Sequence, residues 1–494
     1  MAYNLSRNSR LFVTTNVNTS TGAVLTTGMT PNNCWELNIL DGFKFSQDTA
    51  QTNIQINEAG TAPLRGQQAF NTALNPVDIS FSTYIRPKLS NNEVKPDEQI
   101  LWNALFGAVG IDGNTYIDTG TLTTATTISV TGSGVTFGRA STLSGTVTLQ
   151  GATITNAVAG TWYNIKNVTA SGGSSWEGPA KLRDYTAGGS VVLEYATPPA
   201  ANATTAVSAV GAKLDKAAWT SLPSHAGRSV ACAQVSTAPS NRNQLIPLGF
   251  IFVVDNVSYA INNCAMDGAT VDFGLDAIAT VAWSAKGTSI TKLASNITAT
   301  GGGAMSGGVT GTGYTDKCPA TSPYITNKLS TLTLKSKLYG TDGTAGITYS
   351  VILTGGSLQI QNNISYVTPS NLGIVNTPIG YYTGSRAITG TVNAYLRTGT
   401  TNDVGELLAT MAANIGTAAQ PKYYLQLEMG GSTNPTRVEF EMPGAAISLP
   451  SVDVADVVTT SINFTAQATK NDFDSQTYDI ENTNDLTVRY YAAA

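Results

Sequence analysis

The chain has 494 residues, a formal net charge of −5 and 12% charged residues, while 41% of its residues are hydrophobic. Its length predicts two or three domains rather than one. Its composition excludes a disordered chain, which would be more charged and less apolar. No run of about 18 uncharged apolar residues occurs, and the N-terminus lacks the layout of a signal peptide. We therefore expect a soluble protein that does not insert into a membrane and is not exported by that route.

The residues that usually carry chemistry are scarce. The single histidine, His225, excludes most histidine-based acid–base and metal sites. Cys34, Cys232, Cys264 and Cys318 form no CxxC pair, so we expect free thiols. The negative net charge disfavours a protein that grips nucleic acid, because such proteins use clustered Lys and Arg to displace phosphate counterions. We predict no catalytic site, no metal and no cofactor.

Short β-compatible runs fill the first part of the chain. DISFSTYIRP (78 to 87) alternates with the period of two of a half-buried strand. Asp41 and Gly42 predict a hairpin turn between the runs 34 to 40 and 43 to 47.

Two segments break this pattern. The polar segment 57 to 78 has no clear period, which predicts a mobile loop or an arm that orders against a neighbour. In DEQILWNALFGAVG (97 to 110), apolar residues recur at three and four positions, which predicts one short helix packed on a sheet.

From 112 to 216 the chain becomes rich in Thr, Gly, Ser and Val. Short strands separated by glycine-containing turns predict a small inserted β-sandwich. Strand patterns resume up to about 298, and the Gly-rich stretch 299 to 323 is typical of a linker.

The last part, 324 to 494, repeats the plan of the first. TGTVNAYLRT (389 to 398) is similar to DISFSTYIRP at an offset of 311, and a short helix follows each, in NDVGELLATM (402 to 411) for the second copy. GATVDFGLD (268 to 276) is similar to GAAISLPSVD (444 to 453), but at an offset of 176. The first copy therefore holds extra chain between its helix and its next strand, and this places the insertion inside the first of two related units. The first unit is then 1 to 111 with 217 to 298.

The runs 28 to 87, 97 to 106 and 239 to 287 together resemble the tail tube proteins of tailed bacteriophages, in particular the myovirus-type tube monomer. The duplication and the insertion are similar to a variant that assembles as trimers with pseudo-sixfold symmetry and carries an outward immunoglobulin-like domain. The resemblance implies a mainly β fold: two antiparallel sandwich or barrel-forming tail-tube units, each with one short flanking helix, plus the inserted β-sandwich.

The resemblance also implies a function. The chain would be a structural virion protein, made in the host cytoplasm, whose rings stack into a tube for DNA ejection. Ring stacking is assigned to a hairpin and loop between 43 and 68. Its residues are Phe43, Phe45, Glu58, Arg65, Gln67 and Gln68. Acids on wall strands are assigned to the lumen, where DNA passes without specific binding. They are Asp272, Asp276, Glu439, Glu441, Asp453 and Asp456.

The partners implied are further copies of the chain, a tail sheath, a tape-measure protein, a baseplate and a tail terminator. A trimeric ring is favoured over a hexameric one. The alternatives are another structural β protein, such as a fibre, surface-layer or adhesin subunit, and a carbohydrate-active enzyme with paired carboxylates, for which no acid pair stands out.

Overall fold

A computed structural model describes most of 9 to 54, 68 to 106, 245 to 293, 324 to 336, 347 to 467 and 485 to 493, apart from short internal gaps. Between 120 and 236 it describes individual strands. The fold is mainly β with antiparallel pairing, which confirms the predicted class. The described strands and helix before the insertion are β1 (Ser9–Thr14), β2 (Cys34–Leu37), β3 (Lys44–Ile54), β4 (Gln68–Tyr84), β5 (Leu89–Ser90), β6 (Glu93–Val94) and α1 (Gln99–Phe106).

The segment 112 to 216, predicted to be an insertion, contains nine described strands. They are β7 (Gly120–Thr121), β8 (Thr127–Thr131), β9 (Thr146–Gln150), β10 (Trp162–Lys166), β11 (Thr169–Ala170), β12 (Gly178–Tyr185), β13 (Ser190–Tyr195), β14 (Val207–Ser208) and β15 (Lys213–Lys216). Seven of them form one sheet in the order β7-β15-β10-β12-β13-β9-β8, and β11 pairs with β14. Packing between these sheets lies outside the described residues, so the predicted sandwich stays a prediction.

The chain then returns to the main sheet. These strands are β16 (Trp219–Ser221), β17 (Val230–Ser236), β18 (Leu248–Val254), β19 (Val257–Asp272), β20 (Thr280–Gly287) and β21 (Ser289–Lys292). After the Gly-rich stretch, a 3-10 turn (Asn327–Leu329) precedes the last group. Its elements are β22 (Thr331–Ser336), β23 (Thr348–Ser350), β24 (Leu353–Gln361), β25 (Ser365–Val367), β26 (Gly380–Tyr382), β27 (Ala387–Tyr395), α2 (Val404–Asn414), β28 (Tyr423–Met429), β29 (Arg437–Ile447), β30 (Ser451–Asp453), β31 (Thr459–Gln467) and β32 (Thr487–Ala493).

Eight of these strands form one continuous antiparallel run, which we call the wall sheet. Neighbouring strands pair in the order β3–β4–β20–β19–β24–β27–β31–β30. The pairing of β19 with β24 joins the predicted first unit to the predicted second one. The wall sheet therefore crosses from one half of the chain to the other without a break.

Strand register repeats between the two halves. Tyr84 lies opposite Thr280, and Tyr395, at the same offset of 311, lies opposite Thr459. This register supports the duplication, which we retain as a proposal together with its boundaries. It also revises the second offset: Asp272 faces Thr280 as Asp453 faces Thr459, which gives 181 rather than 176. The sequence comparison matched Gly268 with Gly444, but Gly268 lies opposite Ser284 and Gly444 opposite Gln467, and these two partners are not equivalent in the repeated register.

Two local predictions from the first part of the chain were wrong. Residues 34 to 40 and 43 to 47 do not form a hairpin, because β2 pairs with β1, whereas Ile39 and β3 both pair with β4. Gly42, at φ +108°, bends the chain along β4 instead. The second half of the predicted loop, 68 to 78, belongs to β4, because β3 supplies hydrogen-bond partners for its polar residues and Pro76 falls at a register shift.

The core lies on one face of the wall sheet, between that face and the strands and helix α1 that cover it. All residues from Ile100 to Phe106 are buried. Trp102 stacks edge-on against Trp283 of the wall, with 4.8 Å between ring centroids. Its indole nitrogen donates to the Tyr490 hydroxyl on β32 at 3.0 Å. Helix α1 is thus enclosed between the two halves of the chain.

The cysteines that the structure describes fit the prediction of free thiols. Cys34 and Cys264 are free and buried. Burial raises the pKa of the Cys34 thiol to about 12, so it stays protonated and packs as a small apolar side chain.

Candidate functional site

The wall sheet has one apolar and one polar face, because side chains alternate along each strand. The apolar face packs on the core through Val77, Ile79, Phe81, Val281, Trp283, Val271, Leu358, Ile360, Val392, Ile462 and Phe464. The polar face carries mainly hydroxyl and amide side chains. They include Ser80, Ser82, Ser284, Thr270, Gln359, Gln361, Thr389, Thr391, Asn393, Asn463 and Thr465.

This face carries few charges, and Asp78 lies directly opposite Lys286. Asp78 and Asp272 are exposed, and the half-buried Lys286 lies 3.9 Å from Asp267. Lys44 and Asp453 sit on the two edge strands, β3 and β30, and both are exposed. Such a surface neither concentrates positive charge for phosphates nor presents a broad apolar patch.

The predicted lumen acids divide into three groups. Asp272 and Asp453 lie on the polar face, at equivalent positions of the two halves. Asp276 and Asp456 lie outside the described residues. The other two acids, Glu439 and Glu441, are 3% and 4% exposed and form ion pairs with Arg489. In this structure they therefore do not present charge to a solvent-filled channel.

Glu439 and Glu441 instead hold two strands together. Glu439 lies directly opposite Arg489 across β29 and β32. Its second oxygen accepts a hydrogen bond from the Tyr491 hydroxyl at 3.2 Å. Sequence reasoning missed this role because Arg489 lies far beyond the two acids in the chain, and only strand pairing brings them together.

A long hairpin extends beyond the wall sheet. The pairing of β4 with β20 ends at Val77, but β3 and β4 continue as a two-stranded arm to the pair Ile54 and Gln68. Most described side chains from 48 to 53 are exposed, and Phe70 is 52% exposed. The hairpin predicted for ring stacking is therefore present.

The residues predicted for stacking have different positions. Phe43 and Phe45 are half-buried at the base of the arm, and Phe43 stacks on Phe252 with 4.4 Å between ring centroids. They anchor the arm to the core. Gln68 opens β4, whereas Glu58, Arg65 and Gln67 lie outside the described residues.

A second arm lies beside the first, and sequence reasoning did not single it out. It consists of the hairpin β25–β26 and the loop between them. Asn376 of this loop bridges to Ala73 of the first arm, and its carbonyl accepts from the Leu74 amide at 2.8 Å. The loop exposes apolar side chains, among which Leu372 is fully exposed and Ile379 is 66% exposed. The sequence feature that could have indicated this arm is the series of separate apolar residues between 367 and 382.

Two further findings bear on the class of function. The described residues contain no group of three or more His, Cys, Asp or Glu side chains placed to hold a metal ion. Within that part of the chain, neither helix has the length and apolar character needed to cross a membrane.

Comparison with known proteins indicates the function. No protein-family model matches the chain. Tail tube protein pb6 of Escherichia phage T5 is 24% identical over 473 residues, which cover 94% of this chain and 73% of that protein. The chain is a phage tail tube protein. Its function is structural and its place is the virion.

Among the residues that the structure describes, the tail tube protein has a polar sheet face, two edge strands and two exposed arms. The match to pb6 extends across almost the whole chain, so it includes the stretches with little regular pattern as well as the strands.

Proposed function

We propose that three copies of this tail tube protein close into a ring, that the polar face of the wall sheet lines the lumen, and that rings stack through the two arms. The observation that carries this proposal is the wall sheet, which runs through both halves of the chain and ends in exposed edge strands at β3 and β30. An open sheet edge invites strand pairing, and closure into a ring removes it.

The number of strands supports three copies. Each chain supplies eight wall strands, so a trimer has 24. With strands about 4.8 Å apart and tilted by about 40°, a ring of 24 strands measures roughly 45 to 50 Å between backbones. Side chains narrow this space, but it still exceeds the width of a DNA duplex. Six copies would double the diameter.

The polar face supports the lumen assignment. Its neutral hydroxyl and amide groups hydrate well and offer no clustered Lys or Arg to hold phosphates, so DNA passes without specific binding. The acids Asp272 and Asp453 then lie in the lumen at pseudo-equivalent positions. No catalytic step is required of any residue, and we propose that the protein is not an enzyme.

The arms support stacking. Both leave the wall sheet on the same side, and they brace each other through Asn376. Their exposed apolar side chains suit burial against the next ring. A sheath, a tape-measure protein, a baseplate and a terminator would contact the assembled tube, and the inserted region would face outward.

Electron microscopy of the purified protein tests the proposal, together with the mass of its smallest stable ring. We expect hollow tubes of constant width and a ring with three times the chain mass of 51.4 kDa. A ring with six times the chain mass would contradict the trimer. Flat sheets or thin fibres would favour a different structural protein and overturn the tube.

A further inference from the structure

We propose a specific register for the contact between copies: β30 of one copy pairs antiparallel with β3 of the next, and Asp453 lies opposite Lys44. Val452 then faces Phe45, and Ser451 faces Ser46. This inference rests on the proposed ring and adds the residues that close it. The partner is a second copy of this chain, so the contact is heterologous and generates a closed ring.

The template for this contact is inside the chain. Where β19 meets β24, Asp272 lies opposite Ser357, Val271 opposite Leu358 and Thr270 opposite Gln359. This junction joins the first half to the second. A ring needs the reverse joint as well, from the second half of one copy to the first half of the next.

Strand pairing fixes which residues correspond. On one side, Asp272 and Asp453 face Thr280 and Thr459, which are equivalent in the repeated register. On the other side, Ser357 faces Thr391, and Lys44 faces Ser80. Ser80 and Thr391 are equivalent too, because the offset of 311 that relates β4 to β27 also relates these two residues. Asp453 is therefore the equivalent of Asp272, and Lys44 is the equivalent of Ser357. The facing pair Asp272 and Ser357 at the internal junction thus predicts the facing pair Asp453 and Lys44 between copies.

The burial of the two strands supports the same conclusion. Val271 in the internal junction is 0% exposed, whereas its equivalent Val452 is 41% exposed, and Leu449 beside it is 48% exposed. Among the residues that the structure describes, β30 pairs only with β31 and β3 only with β4. One edge of each strand is thus open, and the exposed valine is an apolar residue that a neighbouring strand would cover.

Charge distinguishes this joint from the internal one. The internal junction opposes Asp272 to an uncharged serine, whereas the joint between copies opposes Asp453 to a lysine. Both side chains lie on the polar face and are exposed in the single copy. Opposite charges on directly facing strand positions attract, and like charges repel, so the pair favours this register over a slipped one.

Disulfide trapping tests the register directly. In the double variant S46C/S451C, the two thiols face each other across the proposed joint. Mild oxidation of assembled tubes should link most chains into covalent dimers and trimers on a denaturing gel. The matched control is S46C/S461C, because Ser461 lies one strand further away, next to Ser451 within the same chain. The parent protein, with its four native cysteines, gives the background.

The outcomes separate this inference from the proposed function. Linking in S46C/S451C at tenfold or more above the control and the parent supports the register. Tubes that assemble but link no better than the control overturn the register and leave the tube intact. A parent protein that forms no rings or tubes at all overturns the proposed function.

Charge reversal covers the case in which the cysteine variants fail to assemble. Lys44→Glu and Asp453→Lys should each raise the concentration needed for assembly at least tenfold, and the double variant should recover most of the loss. Asp48→Lys combined with Lys44→Glu is the control, since Asp48 lies on the arm and should give no recovery. Equal behaviour of the two double variants would contradict the proposed pairing.

Discussion

The two helices of this protein have matching positions but opposite surroundings. When α1 and α2 are aligned at their first residues, Gln99 and Val404, the segment 97 to 106 corresponds to 402 to 411. Leu101 is fully buried, whereas its counterpart Glu406 is exposed. Ala104 is also fully buried, whereas Ala409 is exposed. Each helix nevertheless buries the side chain of its fourth residue, since Trp102 and Leu407 are both 0% exposed.

The difference comes from what covers α1. Strands β29 and β32 of the second half lie against it, and two residues next to β24 and β27 satisfy its last carbonyls. Asn362 donates to the Leu105 carbonyl at 2.8 Å, and Arg386 donates to that of Phe106 at 3.2 Å. The second half thus completes the first within one chain. The corresponding surface of α2, which carries Glu406 and Ala409, stays exposed. A neighbouring copy could cover α2 as the second half covers α1.

The largest expected effect comes from placing a carboxylate at each of the two matched alanines. Ala104→Glu should cost about 5 kcal/mol or more in unfolding free energy, because it overpacks the core and buries an unpaired charge. Ala409→Glu should change the stability of the unassembled chain by less than about 0.5 kcal/mol. Urea unfolding measures both. If the two variants lost equal stability, the helices would not differ as described.

Ala409→Glu should also affect assembly. We expect tubes to form less readily, because the face that carries Ala409 would meet the next copy. Sedimentation of assembled material at equal protein concentration measures this. Normal assembly of this variant would show that the exposed face of α2 stays uncovered in the tube.

The second prediction concerns the side chain that links the halves. Trp102→Ala should lower the unfolding free energy by about 3 to 5 kcal/mol, since it leaves a cavity between Trp283 and Phe440 and removes the hydrogen bond to Tyr490. Denaturant unfolding measures the loss. Tyr490→Phe is the control that removes only a hydroxyl group, and it should cost about 1 to 2 kcal/mol. A loss below about 1 kcal/mol for Trp102→Ala would contradict the tight junction.

The third prediction tests the strand that covers α1. Strand β32 is tied to β29 by the buried ion pairs of Arg489 with Glu439 and Glu441. Arg489→Met should cost about 3 kcal/mol, because two buried carboxylates lose their counterion. Thermal unfolding measures this loss. A loss below about 1 kcal/mol would contradict the role of the ion pairs in holding β32.

The sequence predicted the elements whose patterns are local. The period of two in 78 to 84 and the apolar spacing of 100 to 105 are enough to assign a strand and a helix, and the repeat in chain order revealed the second set. Pairing between distant residues was not predictable in this way. The junction of β19 with β24, the contact of Trp102 with Tyr490 and the burial of Glu439 depend on strand partners that the local pattern does not specify.

The smallest expected effect is a pH dependence at the start of α1. Glu98 corresponds to Asp403, but the two carboxyl groups have different partners. Asp403 accepts from the amide of Glu406 at 2.9 Å and so caps its own helix. Glu98 is buried and accepts from the Tyr490 hydroxyl at 2.6 Å, across the junction between the halves. Burial, together with nearby Asp97, raises the pKa of Glu98 from about 4.5 to about 8, although the hydrogen bond from Tyr490 lowers it in part.

The sign of the effect follows from proton binding. Between pH 4.5 and 8 the folded state keeps the Glu98 proton while the unfolded state has lost it, so stability falls as the pH rises through this window. From pH 6 to 7.5 the loss should be about 2 kcal/mol, at about 1.4 kcal/mol for each pH unit. Glu98→Gln keeps the acceptor for Tyr490 but does not titrate, so its stability should stay nearly level over that range. The single histidine, His225, is common to both proteins and cancels in the difference. Parallel curves for the two proteins would show that Glu98 is ionised in the fold, and the junction between the halves would then have to accommodate a buried charge rather than a neutral hydrogen-bonded pair.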